Sequence, residues 1–158
     1  MSDPSSVQVR QAHSEDAPTI VAFNQAMAVE TEGKALPDEV ITAGVQRVFE
    51  EPAHGFYVVA EAAGKVAGTL MVTKEWSDWR NGVFWWIQSV YVLPAFRGRG
   101  VYRRMYAFVK QRASQNPEVC GFRLYVEKNN QIAQKTYQTL GMAETHYLLY
   151  EEELKRVP

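Results

Sequence analysis

Apolar positions along this chain follow two rhythms in turn, one near the helical period and one with the alternation of a strand. "VQVRQA" at 7–12 alternates and predicts a strand. His13-Ser14-Glu15-Asp16 then supplies a helix start: Ser14 or Asp16 can cap, the acids suit the positive helix end, and Pro18 fits a first turn. Ile20, Phe23, Ala26 and Met27 recur at helical spacing until "ETEGKALPDE" (30–39) breaks the run around Gly33 and Pro37. A second helix is predicted over 38–51, with Val40, Ile41, Val45 and Val48 on one face.

From Gly55 the alternation returns. "FYVVAEAAGKVAGTLMVTKEW" reads as two strands around a tight hairpin at Ala63-Gly64, and "SDWRNG" (77–82) is a second turn. "VFWWIQSVYVL" (83–93) is an almost unbroken apolar run, as expected of a central strand buried on both faces, and Pro94 ends it. Val101, Met105, Phe108 and Val109 then share a helical face as far as Ser114. "CGFRLYVE" (120–127) sets Phe122, Leu124 and Val126 against Arg123, Tyr125 and Glu127, which predicts a strand. Asn130 suits the cap of a short helix with Ile132, Ala133, Thr136, Tyr137 and Leu140 inward, closed by Gly141. "MAETHYLLY" (142–150) predicts a last strand before a polar tail. The order β-α-α-β-β-β-α-β-α-β makes an α/β fold with a mixed central sheet, largely antiparallel at first and with a βαβ unit later.

Composition narrows the class. The 158 residues fit a single domain, 1–158, with no linker, repeat or low-complexity block. Seventeen basic residues face eighteen acidic ones, and the net charge of −1 gives no global pull toward nucleic acid or an anionic membrane. The lone Cys120 excludes an intramolecular disulfide and a cysteine-rich zinc site, and its neighbours Val119, Gly121 and Phe122 suggest a packed thiol. His13, His54 and His146 are scattered and match no metal spacing. "MSDPSSVQVR" lacks the apolar core of a signal peptide, and no apolar stretch approaches the ~20 residues of a membrane span. A soluble cytoplasmic protein is the expectation.

"PAFRGRGVYRR" (94–104) is a local basic feature, with four arginines and two glycines between a strand and a helix. A helix start points backbone N–H groups along a positive dipole, Gly98 and Gly100 let the backbone approach a phosphate, and Arg97 and Arg99 add charge. The plain alternative is a tight turn with a solvated basic rim. Neither G-x-x-x-x-G-K-[ST] nor G-x-G-x-x-G is present, since Arg103 stands at the third glycine's place. Nucleic-acid binding would want arginines spread among stacking aromatics on an open face. Here Tyr102 and Tyr106 share a helix that must also bury Val101 and Met105.

The stretch "VYVLPAFRGRGVYRRMY" (90–106) resembles motif A of the GNAT N-acetyltransferase superfamily, Gln/Arg-x-x-Gly-x-Gly/Ala, read here as Arg97-Gly98-Arg99-Gly100-Val101-Tyr102. "LYVEKNNQIAQKTYQTLGM" (124–142) is similar to motif B, and the two come in the family's order and separation. Tyr102 departs from the pattern, standing where Gly or Ala is usual. The family's contact there comes from the backbone, so its phenol must turn away from the ligand.

The resemblance implies a sheet splayed between strands four and five, with acetyl-CoA as acetyl donor. The turn of Arg97, Gly98, Arg99, Gly100, Val101 and Tyr102 would hold the pyrophosphate through backbone N–H groups. Val90, Tyr91 and Val92 would pair with the pantetheine arm. Asn130 resembles a residue that contacts the pantetheine or adenine side, a role compatible with capping. Gln88 and Ser89, polar within an apolar strand, fit the splay or an internal hydrogen bond. Transfer to a primary amine would be direct, with Tyr137 matching the tyrosine that protonates the leaving thiolate; core packing is its other reading. The places where family members carry a basic carboxylate hold Trp86 and Tyr125 here. Glu75 and Glu30 are the leading substitutes, with Glu32, Glu127 and a water relay behind them.

The implied acceptor is a small-molecule or protein amine. Glu30, Glu32, Glu75 and Asp78 with Trp76, Trp79, Trp85 and Trp86 could form an acidic, aromatic pocket for a cation, or two solvated loops over a tryptophan-rich core. Two other classes compete: a non-catalytic acyl-CoA-binding module, which the missing base allows, and a nucleic-acid-binding protein. Neither a nucleic acid nor a membrane is the expected partner. Homodimers are common in such folds, and no residue pattern here marks an interface.

Overall fold

The computed structural model describes residues 6–156, and the chain divides into two units, one up to Tyr125 and one from Val126. The first unit contains β1 (Val7–Gln11), a 3-10 turn (Ser14–Asp16), α1 (Ala17–Glu32), α2 (Asp38–Glu50), β2 (Gly55–Ala62) and β3 (Lys65–Ser77). It continues with β4 (Gly82–Val92), a second 3-10 turn (Pro94–Phe96), α3 (Val101–Ser114) and β5 (Val119–Leu124). The second unit holds α4 (Gln131–Thr139).

The strands lie side by side in sequence order. The first four run antiparallel, and short turns impose this on β2–β3 and β3–β4, whereas β1 reaches β2 through α1 and α2. At the β2–β3 hairpin, Ala63 (φ 53) and Gly64 (φ 76) both take the left-handed conformation that a two-residue turn of this hand requires. β4 and β5 are parallel, with α3 as the crossover between them. One face of the sheet sets Tyr57 and Val59 against Ala12, Ile20 and Val45, so α1 and α2 cover it. By alternation Val58, Ala60, Leu70 and Val72 point to the other face, where α3 buries Val101, Met105 and Val109. Gly68 allows that approach, because a Cβ there would stand 3.1 Å from Val101 and 3.3 Å from Met105.

Two irregularities shape β4. Thr69 pairs with Tyr91 but Met71 with Gln88, so Ser89 and Val90 share the single opposite residue Leu70, a β-bulge. Ser89 takes φ 52, a left-handed conformation that costs a residue with a Cβ ~1–2 kcal/mol. Pairing of β4 with β5 runs only from Val83↔Val119 to Ile87↔Leu124, so β4 continues from Gln88 to Val92 without that neighbour. β4 thus outruns β5 in the region where a splay between strands four and five was expected.

The mixed α/β fold is the expected one, with local corrections. β5 ends at Leu124 instead of 127, and the strand expected over 142–150 does not form. No residue from 142 to 156 is in a helix or strand, and Tyr147, Leu148, Leu149 and Tyr150 are exposed. A strand draws its stability from a neighbour's backbone and a buried face, and an alternating pattern supplies neither by itself. Ile132, expected inward on α4, is exposed in its first turn. Cys120, expected to be packed, is exposed because β5 is an edge strand.

Met105→Ala should lower the unfolding free energy by ~2–5 kcal/mol in urea, because its side chain is fully buried between α3 and the sheet. Burial also pushes the Tyr57 phenol from 10.0 up to about 12. The unfolded chain therefore ionises first, and the stability Tyr57 contributes is whole below pH 10 and lost as the pH climbs toward 12. Tyr57→Phe should flatten that part of the alkaline unfolding curve.

Candidate active site

The turn between β4 and α3 is shaped by its glycines. Gly98 (φ 75) and Gly100 (φ 76) are both left-handed, a conformation glycine enters without a Cβ penalty. No atom lies within 4 Å of where a Cβ would stand on either, so the turn is open on that side. The first bond of α3 runs from Arg104 N to Gly100 O at 3.1 Å. The N–H groups of the first turn thus have no acceptor within the helix and lie at the positive end of its dipole. The Tyr102 ring stacks on that of Tyr106, centroids 6.1 Å apart and 7° from parallel, and so follows the helix. Arg99 lies over the Phe96 ring at 5.8 Å, Arg103 is exposed, and Arg104 donates to Val7 O at 3.1 Å.

Arg97 turns back toward β4. Its Nε donates to Val92 O at 2.9 Å, and its Nη2 donates to Glu30 Oε2 at 2.8 Å and Oε1 at 3.2 Å. The guanidinium lies 5.4 Å from the centre of the Tyr91 ring, which packs on Phe23 of α1 at 5.1 Å. The Tyr91 hydroxyl donates to Glu30 Oε1 at 3.4 Å. Burial first, and the Glu30 charge after it, push the Tyr91 phenol above its ordinary value. Glu30 and Arg97, expected in separate roles, are therefore partners in one ion pair.

Glu75 belongs to a second cluster, on the face that α1 and α2 cover farther along the sheet. Its Oε1 accepts from Arg123 Nη1 at 2.5 Å and from Trp86 Nε1 at 3.2 Å. Arg123 stands 3.7 Å from the centre of the Phe84 ring, and the Trp86 and Tyr125 rings are 4.6 Å apart. Register creates this meeting: Glu75 lies opposite Phe84, and Trp86 opposite Arg123. Gln88 Nε2 donates to Thr73 Oγ1 at 2.6 Å, so its polarity is satisfied inside the sheet.

The acidic, aromatic pocket expected from the loops is assembled only in part. Glu75 and Trp86 meet, but Trp85 packs on Phe56 with rings 5.2 Å apart, on the opposite face, because successive strand residues point to opposite sides. Trp76 and Trp79 at the β3–β4 hairpin are 60% and 88% exposed, and Glu32 lies beside Lys34 at 3.9 Å. Sequence reading missed Arg123 as the partner of Glu75, because register across three strands leaves no local pattern. In the second unit, Asn130 Oδ1 accepts from Ala133 N at 3.1 Å and so caps α4. Tyr137 is half-buried on α4, and burial pushes its phenol above the ordinary value. Among the described residues, no group of three or more His, Cys, Asp or Glu could hold a metal ion, and no helix is long and apolar enough to cross a membrane.

The family model described as acetyltransferase (GNAT) matches residues 15–142. A possible acetyltransferase from Clostridium difficile 630 is 41% identical, with a TM-score of 0.87 over 95% of this chain and 99% of its own. AAC(6')-Iy, solved with the bisubstrate analogue CoA-S-monomethyl-acetylneamine, is 21% identical, with a TM-score of 0.75 over 95% and 99% of the two chains. A predicted acetyltransferase with acetyl-CoA from Clostridium acetobutylicum is 18% identical, with a TM-score of 0.76 over 93% and 96%. The last two show a common fold. No curated protein sequence matches the chain.

Glu75→Ala should shift the tryptophan emission, because Trp86 loses its indole acceptor. The loss of stability should stay near ~1 kcal/mol, since the Glu75 and Arg123 side chains are 44% and 29% exposed. Fluorescence and thermal melts of the same samples check both.

Proposed function

The chain belongs to the GNAT acetyltransferase family, and from that premise we propose that it moves the acetyl group of acetyl-CoA to a primary amine by direct attack in a ternary complex. The observation that carries the reading is the strand–turn–helix from β4 to α3. It combines two left-handed glycines facing open space, a helix start, and a strand that outruns its parallel neighbour. An anionic diphosphate suits the first two features, and an extended amide-bearing arm suits the third.

In this reading acetyl-CoA supplies the acetyl group as a thioester. Arg97, Gly98, Arg99, Gly100, Val101 and Tyr102 hold the pyrophosphate, chiefly by backbone N–H groups. Val90, Tyr91 and Val92 offer strand edge to the pantetheine arm, and Asn130 adds a contact to it. The residues position the two reactants so that the amine nitrogen bonds the acetyl carbon as the C–S bond breaks. A backbone N–H near Val90–Val92 polarises the carbonyl. Tyr137 donates its phenolic proton to the departing sulfur, a role supported by its place in the segment that resembles motif B. Glu75 and Glu30 are the carboxylates assigned to the amine's proton, directly or through water. The two units work as one acetyltransferase domain over 1–158, a reading supported by a family match that runs through both. The acceptor is a small-molecule or protein amine.

A panel of amines screened for release of free CoA tests the reading, and at least one should give turnover above hydrolysis. Acetyl-CoA at millimolar concentration should raise the melting temperature; an unchanged melt refutes the cradle. Tyr137→Phe should slow transfer ~100-fold or more with cofactor binding unchanged, and undiminished turnover refutes its role as acid. Both candidate carboxylates are ion-paired, which favours one second reading, a non-catalytic acyl-CoA-binding module. That reading predicts the melting shift without CoA release.

A further inference from the structure

The hydrogen-bond ladder between β3 and β4 gives the position of Arg97 a meaning. Leu93 N donates to Ala67 O at 2.8 Å, on the β3 side. In an antiparallel ladder the preceding residue turns its N–H and C=O the other way. Val92, paired with Gly68, therefore directs its carbonyl away from β3, to the side where β5 has already ended at Leu124. That carbonyl is occupied: Arg97 Nε donates to it at 2.9 Å. Glu30 holds the far end of the same guanidinium, and the Tyr91 ring lies beneath it.

We propose that Glu30 and Arg97 form a latch over the open edge of β4, which an anionic acyl-CoA must undo. The inference rests on the reading that Val90–Val92 pair with the pantetheine arm and that the following turn holds the pyrophosphate. The arm needs the Val92 carbonyl as an acceptor for its amide N–H, and Arg97 fills that acceptor in the free chain. The diphosphate offers the guanidinium a replacement for the Glu30 carboxylate. Once Arg97 has moved, Glu30 is left beside Tyr91 without its counter-ion, and a cationic amine meets an uncompensated carboxylate. Before that point the carboxylate is neutralised. Toward CoA, Glu30 thus acts through Arg97, and its carboxylate becomes available to the amine's proton only when that ion pair opens.

The Arg97 and Glu30 side chains are 46% and 42% exposed, so the latch has the strength of a surface pair and changes affinity by a factor of about two to five. Calorimetry with CoA on the full chain tests it. Glu30→Gln should bind CoA about two- to fivefold more tightly than the wild type. The Arg97 Nε–H resonance of the wild type should move when CoA is added, and in free Glu30→Gln it should already lie displaced. Glu32→Gln removes the same charge nearby without touching Arg97, and should bind CoA as the wild type does. Equal or weaker binding by Glu30→Gln overturns the latch, as does equal tightening in Glu32→Gln, which marks a general charge effect. A wild type that fails to bind CoA overturns the underlying reading along with it, whereas normal wild-type binding with an unaltered Glu30→Gln overturns the latch alone.

Discussion

A strand that outruns its neighbour must find other partners for its backbone, and β4 is such a strand. Its ladder with β5 stops at Ile87, yet it runs on to Val92. Unpaired backbone groups are costly wherever water is excluded, so the exposed edge is a demand that the rest of the molecule answers. The bulge at Ser89 and Val90 sets how that edge is presented. It breaks the alternation, so that Gln88 and, three residues later, Tyr91 lie on the same face, both under the α1 side. An unbroken strand would have turned Val90 there instead. The left-handed Ser89 is the local cost of bringing a tyrosine ring beneath Glu30.

The two carboxylates with chemical promise are both held by arginines, and by different means. Glu75 meets Arg123 because three strands bring them into register. Glu30 meets Arg97 because a helix end and a glycine turn converge on the tip of β4. Neither pair adds much to stability at such exposure. What they do is define which acids are compensated and which surfaces carry net charge. A third arginine, Arg10, shows the structural use of the same chemistry. It grips Asp16 at 2.7 Å and Glu61 at 2.8 Å, tying β1 to β2 and to the start of α1, and this contact holds the Asp16 carboxyl below its usual range.

The elements were legible because each rests on a local signal. Gly33 at φ 62 ends α1, the Ala63-Gly64 pair makes the hairpin, and the apolar run of 83–93, expected as a central strand, becomes β4, an interior strand one place from the sheet's edge. The shape of the turn before α3 was legible for the same reason, since Gly98 and Gly100 announce a left-handed backbone conformation. What depends on register was not. Nothing near Glu75 in sequence points to Arg123, and nothing near Glu30 points to Arg97, 67 residues away. The segment at 142–150 failed in the opposite direction. Its residues have the composition of a strand, but composition does not provide the partner that a strand requires. The burial of Cys120 was misjudged likewise, because apolar neighbours in sequence do not reveal that a strand lies at the edge.

That edge position has a redox consequence. The chain carries one thiol, and it faces solvent. With no second cysteine to pair with, its oxidation to a disulfide can only join it to another molecule, a second copy of the chain or a small free thiol. Oxidation is therefore read out directly as a change in mass or in assembly, with no internal rearrangement to hide it.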